Sequence, residues 1–379
     1  MNSKLTYLEG LRGIAALMVV LNHIQLAFAE DSLTNLLTLL EDKTGSYIIS
    51  HVLHGSINVF FSGDLAVHIF WFLSAYVISI KLFKDNDTSY LVKVISKRYV
   101  RLAIPVFFSV VFAYLLMEGN LMSNFDLKLK DSPWVEAYYY FDPDFLVAIQ
   151  SAIWNTFFDP GGSVTYNSVL WTMNPELYGS LICFGLFAVL RKTLLRFVVY
   201  ILVAFWGIIQ IKFWLTSFML GFFLCDLDYS PARFRWYVKV KDSVFRLPRL
   251  NLIAFVTLLI LGGFPNYFGY FFTGISGLIV LVLLNDHRLQ AFFSSKKLVW
   301  LGEHSFSIYL LHFPILCSFS SLIYLNLALP TILKILIAGI STVIMTIGIA
   351  ILFTRYVDNL AISMSKRFGD FVSSSLTKK

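Results

Sequence analysis

Arg12-Gly13-Ile14-Ala15-Ala16-Leu17-Met18-Val19-Val20-Leu21-Asn22-His23-Ile24-Gln25-Leu26-Ala27-Phe28-Ala29 is an apolar stretch with a cation at its start and an imidazole within it. A helix crosses the hydrocarbon of a bilayer in about 20 mostly apolar residues, somewhat fewer where protein covers its ends, so this stretch predicts a membrane span. Arg12 and His23 are eleven residues apart. At about 100° per residue they project from one face, about 16 Å apart along the axis. Both can therefore line one cleft, Arg12 at headgroup level and His23 well inside the membrane. The same start superficially resembles a cleaved signal peptide, with Lys4, Arg12 and Ala27-Phe28-Ala29. An apolar core ending in Asn22-His23 argues against cleavage, and so does the charge pattern below.

Nine further stretches qualify as spans, at 65–84, 99–117, 168–190, 195–211, 213–226, 250–265, 269–285, 304–326 and 330–354. Composition agrees: 58% of the 379 residues are hydrophobic, 17% aromatic and only 14% charged, and the mean hydropathy is +0.73. Soluble domains are about a quarter charged, so this chain has too few charges to cover a water-facing surface. The expectation is an all-α polytopic membrane protein of about ten helices in contact with the lipid bilayer. Residues 1–360 read as one membrane domain and 361–379 as a short basic cytoplasmic tail. Cys183, Cys225 and Cys317 all fall in apolar stretches and are too far apart for a C-x-x-C site. They predict neither disulfides nor a metal centre, and small buried hydrophobes is the better reading.

Charge sets the orientation. With the N-terminus in the cytoplasm and ten crossings, the cytoplasmic segments total +15 and the opposite ones −7, which with Glu176 returns the whole-chain +7. Basic inside and acidic outside is the positive-inside pattern, and an odd number of crossings breaks it. Both termini are expected in the cytoplasm. The basicity then reflects topology, and no nucleic-acid partner is implied. The longest polar excursion, 118–167, carries Trp134, Tyr138-Tyr139-Tyr140 and Asp142-Pro143-Asp144. Such a loop suits the membrane interface, where aromatic rings collect. Stacked Tyr or Trp there also suits sugar rings.

Ionisable groups at membrane depth are costly, and they are either paired or functional. Here they are Arg12, His23, His68, Glu176 and His312, with Asn22, Ser74 and Asn174 as uncharged companions. A histidine is suited to taking a proton from a hydroxyl near neutral pH, and an arginine to gripping phosphate or polarising a carbonyl. Alternatively, His23 bonds a neighbouring helix and Arg12 snorkels to the surface. Glu176 must be protonated, paired or facing a water-filled cavity, with Arg12 or Arg101 as structural partner in the plainest case. Pro175 frees a carbonyl in the preceding turn, which fits a helix lining a cavity. Arg98 and Arg101, three residues apart, are neighbours on a helix surface. They are placed either to clamp phosphates or to anchor lipid headgroups.

Five segments, in order, resemble the membrane acyltransferase-3 family, which includes bacterial O-antigen acetylases. Tyr7-Leu8-Glu9-Gly10-Leu11-Arg12-Gly13-Ile14-Ala15-Ala16 followed by His23 is similar to its opening signature with Arg-x10-His spacing. Phe70-Trp71-Phe72-Leu73-Ser74-Ala75-Tyr76-Val77-Ile78 resembles its second-span motif, with Ala75 where a glycine is usual. Arg98 and Arg101 match an Arg-x-x-Arg element, and Trp171-Thr172-Met173-Asn174-Pro175-Glu176 resembles Trp-Ser-Leu-x-x-Glu. Leu301-Gly302-Glu303-His304-Ser305-Phe306-Ser307-Ile308-Tyr309-Leu310-Leu311-His312-Phe313-Pro314 resembles the closing segment.

The resemblance implies a ten-span enzyme that takes an acyl group, commonly acetyl, from cytoplasmic acyl-coenzyme A. It delivers that group to a hydroxyl of a cell-surface or lipid-linked glycan at a bacterial inner membrane. His23 becomes the catalytic histidine and Arg12 its partner, with Arg12, Arg98 and Arg101 on the donor and Glu176 a site carboxylate. His312 is either a site residue or a helix-orienting one. Acyl-coenzyme A, acetyl-coenzyme A in the simplest case, is the donor, and no metal is implied. The oligomeric state stays open. Some relatives carry an extracytoplasmic hydrolase-like domain after the spans, which is not expected in a chain ending about 25 residues past the tenth stretch. The rival reading is a glycan or glycolipid transporter, in which the same His, Glu and Arg relay protons. Release of coenzyme A discriminates between the two.

Overall fold

A computed structural model describes residues 5–29, 39, 42–43, 47–86, 89–127, 134–161, 165–229, 235–264 and 269–377. These residues form helices and loops, with no strand among them. All ten apolar stretches are helical: α1 (Thr6–Phe28), α2 (Gly63–Asp85), α3 (Ser89–Glu118), α4 (Met173–Leu190), α5 (Leu195–Ile209), α6 (Phe213–Tyr229), α7 (Pro248–Gly262), α8 (Gly269–Asn285), α9 (Lys296–Ile315) and α10 (Thr331–Phe353). The chain is a multi-pass membrane protein. By length and composition six helices among the described residues can cross a bilayer, or eight if two bent pairs each count as one span. In those pairs, α7 meets Tyr237–Val244 at 89° and α8 meets His287–Phe293 at 101°. The ten crossings expected from the sequence thus include two helices, α5 with 15 residues and α6 with 17, that fall short by length alone. At 1.5 Å per residue they reach about 22–26 Å, less than the usual hydrocarbon thickness of about 30 Å.

A buried ion pair joins these two short helices. Arg196 of α5 grips Asp226 of α6 through Nε at 2.6 Å and Nη2 at 3.2 Å, and both are almost fully buried. In the charge count they read as loop residues, and Glu176 as the one charge deep within a span. His68 of α2 is likewise structural, with Nδ1 2.8 Å from Ser217 Oγ of α6 and 3.0 Å from Thr273 Oγ1 of α8.

A close backbone contact between α1 and α9 sets the geometry of the site. A Cβ on Gly13 of α1 would lie 2.6 Å from the Gly302 backbone nitrogen, and one on Gly302 of α9 would lie 2.0 Å from the Glu9 carbonyl oxygen. Small residues are what allow such backbone contact between helices in a membrane. The pairing continues along both chains in one direction. Ten residues beyond Gly13 and ten beyond Gly302 come His23 and His312, which touch. α1 and α9 are therefore parallel and in register. Pro314 removes the amide that would bond the Leu310 carbonyl, and Asn167 Nδ2 donates to that oxygen instead, at 2.7 Å.

α10 does not stop where its apolar residues do. One wide π-turn, Thr354–Asp358, carries it into α11 (Asn359–Thr377). The run Thr331–Ser375 is 45 residues long, about 67 Å and over twice the hydrocarbon thickness. The residues read as a short tail are helix as far as Thr377 and lie along α3. Lys93 pairs with Asp370 there, and Arg101 pairs with Asp358.

Candidate active site

A cavity of about 680 Å³ opens between α1, α2, α3, α4, α9 and the α10–α11 turn. Four of the charged residues singled out in the sequence line it: Arg12, Arg98, Arg101 and Glu176. Their partners differ from those expected. Glu176 pairs with Arg98, and it also accepts from the Ser74 hydroxyl. Arg98 reaches further, donating from Nε to Ser180 Oγ at 3.0 Å and from Nη2 to Ser74 Oγ at 3.0 Å. Arg101 forks onto Asp358, with Nη1 to Oδ1 at 2.6 Å and Nη2 to Oδ2 at 3.0 Å. Arg12 takes Glu9 one turn away at 3.0 Å.

The reason for this exchange is helix geometry. Arg98 and Arg101 lie on neighbouring flanks of α3, so one faces α4 and the other the wide turn after α10. A π-turn adds a residue to the helical cycle, and such turns concentrate at functional sites. Asp358 lies in that turn. Glu9, Glu303, Arg355 and His304 also line it, so four arginines face four carboxylates. Among the described residues Arg355 has no carboxylate partner, and its guanidinium rests over its neighbour, the Tyr356 ring, at 5.4 Å. Sequence reading passed over both Asp358 and Arg355. The signal that marks them is the end of the apolar run, where an Arg-x-x-Asp stands one turn after Thr354.

Pro175 lies in the first turn of α4. A 3-10 turn, Ser168–Thr172, leads directly into it, so Pro175 stands near the start of one continuous helical run. Asn174 bonds the Phe157 carbonyl at 2.6 Å, and Asn22 the Phe61 carbonyl at 2.8 Å, so both companions tie loops to spans.

His23 is not in this cavity, although one cleft shared with Arg12 was expected. Between them stands Tyr309, which lines the cavity and lies 5.9 Å, ring to ring, from His312. The Tyr309 hydroxyl is fixed by the Val169 carbonyl and Thr172 Oγ1, each at 2.9 Å. One helical turn further along α9, His23 Nδ1 lies 2.7 Å from His312 Nε2. Three rings surround His23: His312 with centroids 4.9 Å apart, Trp134 at 5.2 Å and Phe313 edge-on at 5.8 Å.

Trp134 belongs to the long polar excursion, which folds back over the bundle rather than only lining the interface. Asn124 donates to the carbonyls of Val135 and Tyr138, both at 3.0 Å. Tyr139 donates to the Tyr166 carbonyl at 3.1 Å, and burial holds its phenol well above the ordinary value, so it stays a neutral donor. Among the described residues no three His, Cys, Asp or Glu side chains gather as a metal site, and the three cysteines are buried and apart.

The arginine-lined cavity and the histidine pair thus lie on either side of Tyr309. The acyltransferase-3 family profile, described as an acyltransferase domain, matches residues 5–354. The chain belongs to this family. It is thus a membrane acyltransferase. Its family match ends one residue before Arg355 and four before Asp358, so these two cavity residues lie beyond it. No curated protein matches the chain, and no solved structure does.

Proposed function

We propose that the protein is an O-acyltransferase that moves an acyl group, acetyl in the simplest case, from acyl-coenzyme A to a hydroxyl of a glycan or lipid-linked glycan. The observation that carries this reading is the serial arrangement: a cavity with four arginines, then Tyr309, then His23. Charge patterning supports placing the cavity at the cytoplasmic face, where coenzyme A is found, and the aromatic loop at the opposite face.

The donor's phosphates dock against Arg355 first, the cation without a carboxylate partner among the described residues. Arg98, Arg101 and Arg12 join as they exchange Glu176, Asp358 and Glu9 for phosphate. Arginine's planar fork suits either anion. Glu176 holds Arg98 in place and does not orient the imidazole, since its bonds go to Arg98 and Ser74. The thioester reaches past Tyr309 towards His23. The imidazole takes the acceptor hydroxyl's proton as its oxygen attacks the thioester carbonyl carbon. A C–O bond forms, the C–S bond breaks, and the imidazolium returns the proton to the departing thiolate. Rings of His312, Trp134 and Phe313 around His23 limit access of water and so protect the thioester from hydrolysis.

The test uses purified full-length protein in lipid, labelled acetyl-coenzyme A and an extract of surface glycans. The expected result is glycan-bound label and stoichiometric free coenzyme A thiol, both lost in His23→Ala. Glycan translocation with no thiol release overturns the reading in favour of a transporter. Retention of wild-type transfer by His23→Ala removes the histidine from the chemistry.

A further inference from the structure

The histidine pair carries more than contact, because its outer end is fixed. His312 Nδ1 lies 3.2 Å from the Ile308 carbonyl oxygen, one turn back along its own helix. A carbonyl oxygen can only accept, so a favourable contact requires the proton of His312 on Nδ1. A neutral imidazole carries one ring proton, which leaves His312 Nε2 as an acceptor. That nitrogen faces His23 Nδ1 at 2.7 Å, so His23 must donate, and its own single proton sits on Nδ1. The opposite assignment puts two lone pairs against each other at the Ile308 carbonyl, inside a fully buried ring environment where an unmatched polar contact is expensive. Among the described residues no hydrogen-bond partner holds His23 Nε2.

We infer that His312 is a positioning residue that locks His23 in the Nδ1–H tautomer and reserves Nε2 as the atom that takes the acceptor's proton. The inference rests on the acyl-transfer reading above for what Nε2 does, but not for which nitrogen is protonated. When Nε2 receives the proton, the Nδ1–H···Nε2 bond to His312 becomes charge-assisted and strengthens as the imidazolium forms. This is the orienting role that a carboxylate plays behind other catalytic histidines, filled here by a second, neutral imidazole. A carboxylate in its place would add a charge to a site walled by aromatic rings. An imidazole bonded to a backbone carbonyl provides the acceptor without one. The parallel register of α1 and α9 fixes the donor–acceptor distance, since the glycine contact and the histidine contact are ten residues apart on both helices.

Two measurements decide it. First, ring-nitrogen spectra of the full chain labelled with 15N-histidine, with the His23 signals assigned by their loss in His23→Gln, report each tautomer without any assay of activity. The expected result is a protonated Nδ1 and an unprotonated Nε2 on His23 at neutral pH. A His23 protonated on Nε2 overturns the inference, even if transfer depends on His23. Second, glutamine places its amide oxygen near the depth of an imidazole Nε2, whereas asparagine reaches only to Nδ1. His312→Gln is expected to keep kcat within about tenfold of wild type, and His312→Asn and His312→Leu to lose about 10²-fold, with KM for acetyl-coenzyme A unchanged in all three. Equal kcat for Gln and Leu variants that bind the donor normally overturns it. If His23→Ala proves fully active while the spectra show the expected tautomer, the functional reading fails and the tautomer assignment stands.

Discussion

The arginine cavity and the histidine pair are separated by one turn of α9, yet they are built of opposite materials. In the cavity, Arg12, Arg98 and Arg101 each hold a carboxylate, and four positive side chains meet four negative ones. Around His23 no charged side chain touches the ring among the described residues, and its neighbours are His312, Trp134 and Phe313. Charged groups belong where an anionic ligand arrives and leaves, because ion pairs can exchange partners where water reaches them. A proton-transfer group belongs where water is scarce and orientation is fixed. On the function proposed above, the two regions divide recognition from chemistry, with Tyr309 as their common wall.

The strongest attempt to break that division is His23→Ala. Transfer is expected to fall by about 10²–10⁴-fold, the usual contribution of a positioned base, while coenzyme A affinity is unchanged in equilibrium dialysis. A parallel loss of affinity merges the two regions into one. Next in size, Arg98→Ala leaves the Glu176 side chain with Ser74 as its one hydrogen-bond partner among the described residues and is expected to destabilise the protein by about 3–5 kcal/mol, read as early thermal unfolding in detergent. Rescue by the double variant with Glu176→Gln is the matching outcome, and no rescue removes the pair from the account of the fold. Arg355→Ala is expected to weaken acetyl-coenzyme A binding by about fivefold with kcat preserved, an effect that shrinks in high salt. Asp358→Asn is expected to act in the opposite direction, tightening binding a few-fold by releasing Arg101. If it weakens binding instead, Asp358 holds Arg101 in the pose that the donor needs.

The sequence already displayed both regions but not their boundary. Arg12, His23 and Glu176 are ionisable groups in or beside apolar stretches, and Arg98 and Arg101 stand three residues apart at the head of another; such features are legible without a fold. What was hidden depends on partners far away in the chain. Asp358 reaches Arg101 across 257 positions, and in a charge count it is one acid among a basic run. Arg196 and Asp226 look like loop charges because α5 and α6 are too short to announce their ends. Helical periodicity did put Arg12 and His23 on one face. It could not show that Tyr309 would stand between them, since that ring comes from a helix nearly three hundred residues later.

The glycine contact between α1 and α9 has a practical consequence for anyone mapping this protein by random substitution. Gly13 and Gly302 are about 15 Å from the histidines and carry no side chain that could take part in proton transfer, although Gly302 lines the arginine cavity. Even an alanine at either position forces the two helices apart, and the displacement is carried up a rigid pair of rods to the histidine contact, on which the proposed chemistry depends. In a screen scored by activity alone, these positions will rank beside His23 and be mistaken for catalytic residues. Only a count of folded, donor-binding molecules will tell a bent frame from a missing base.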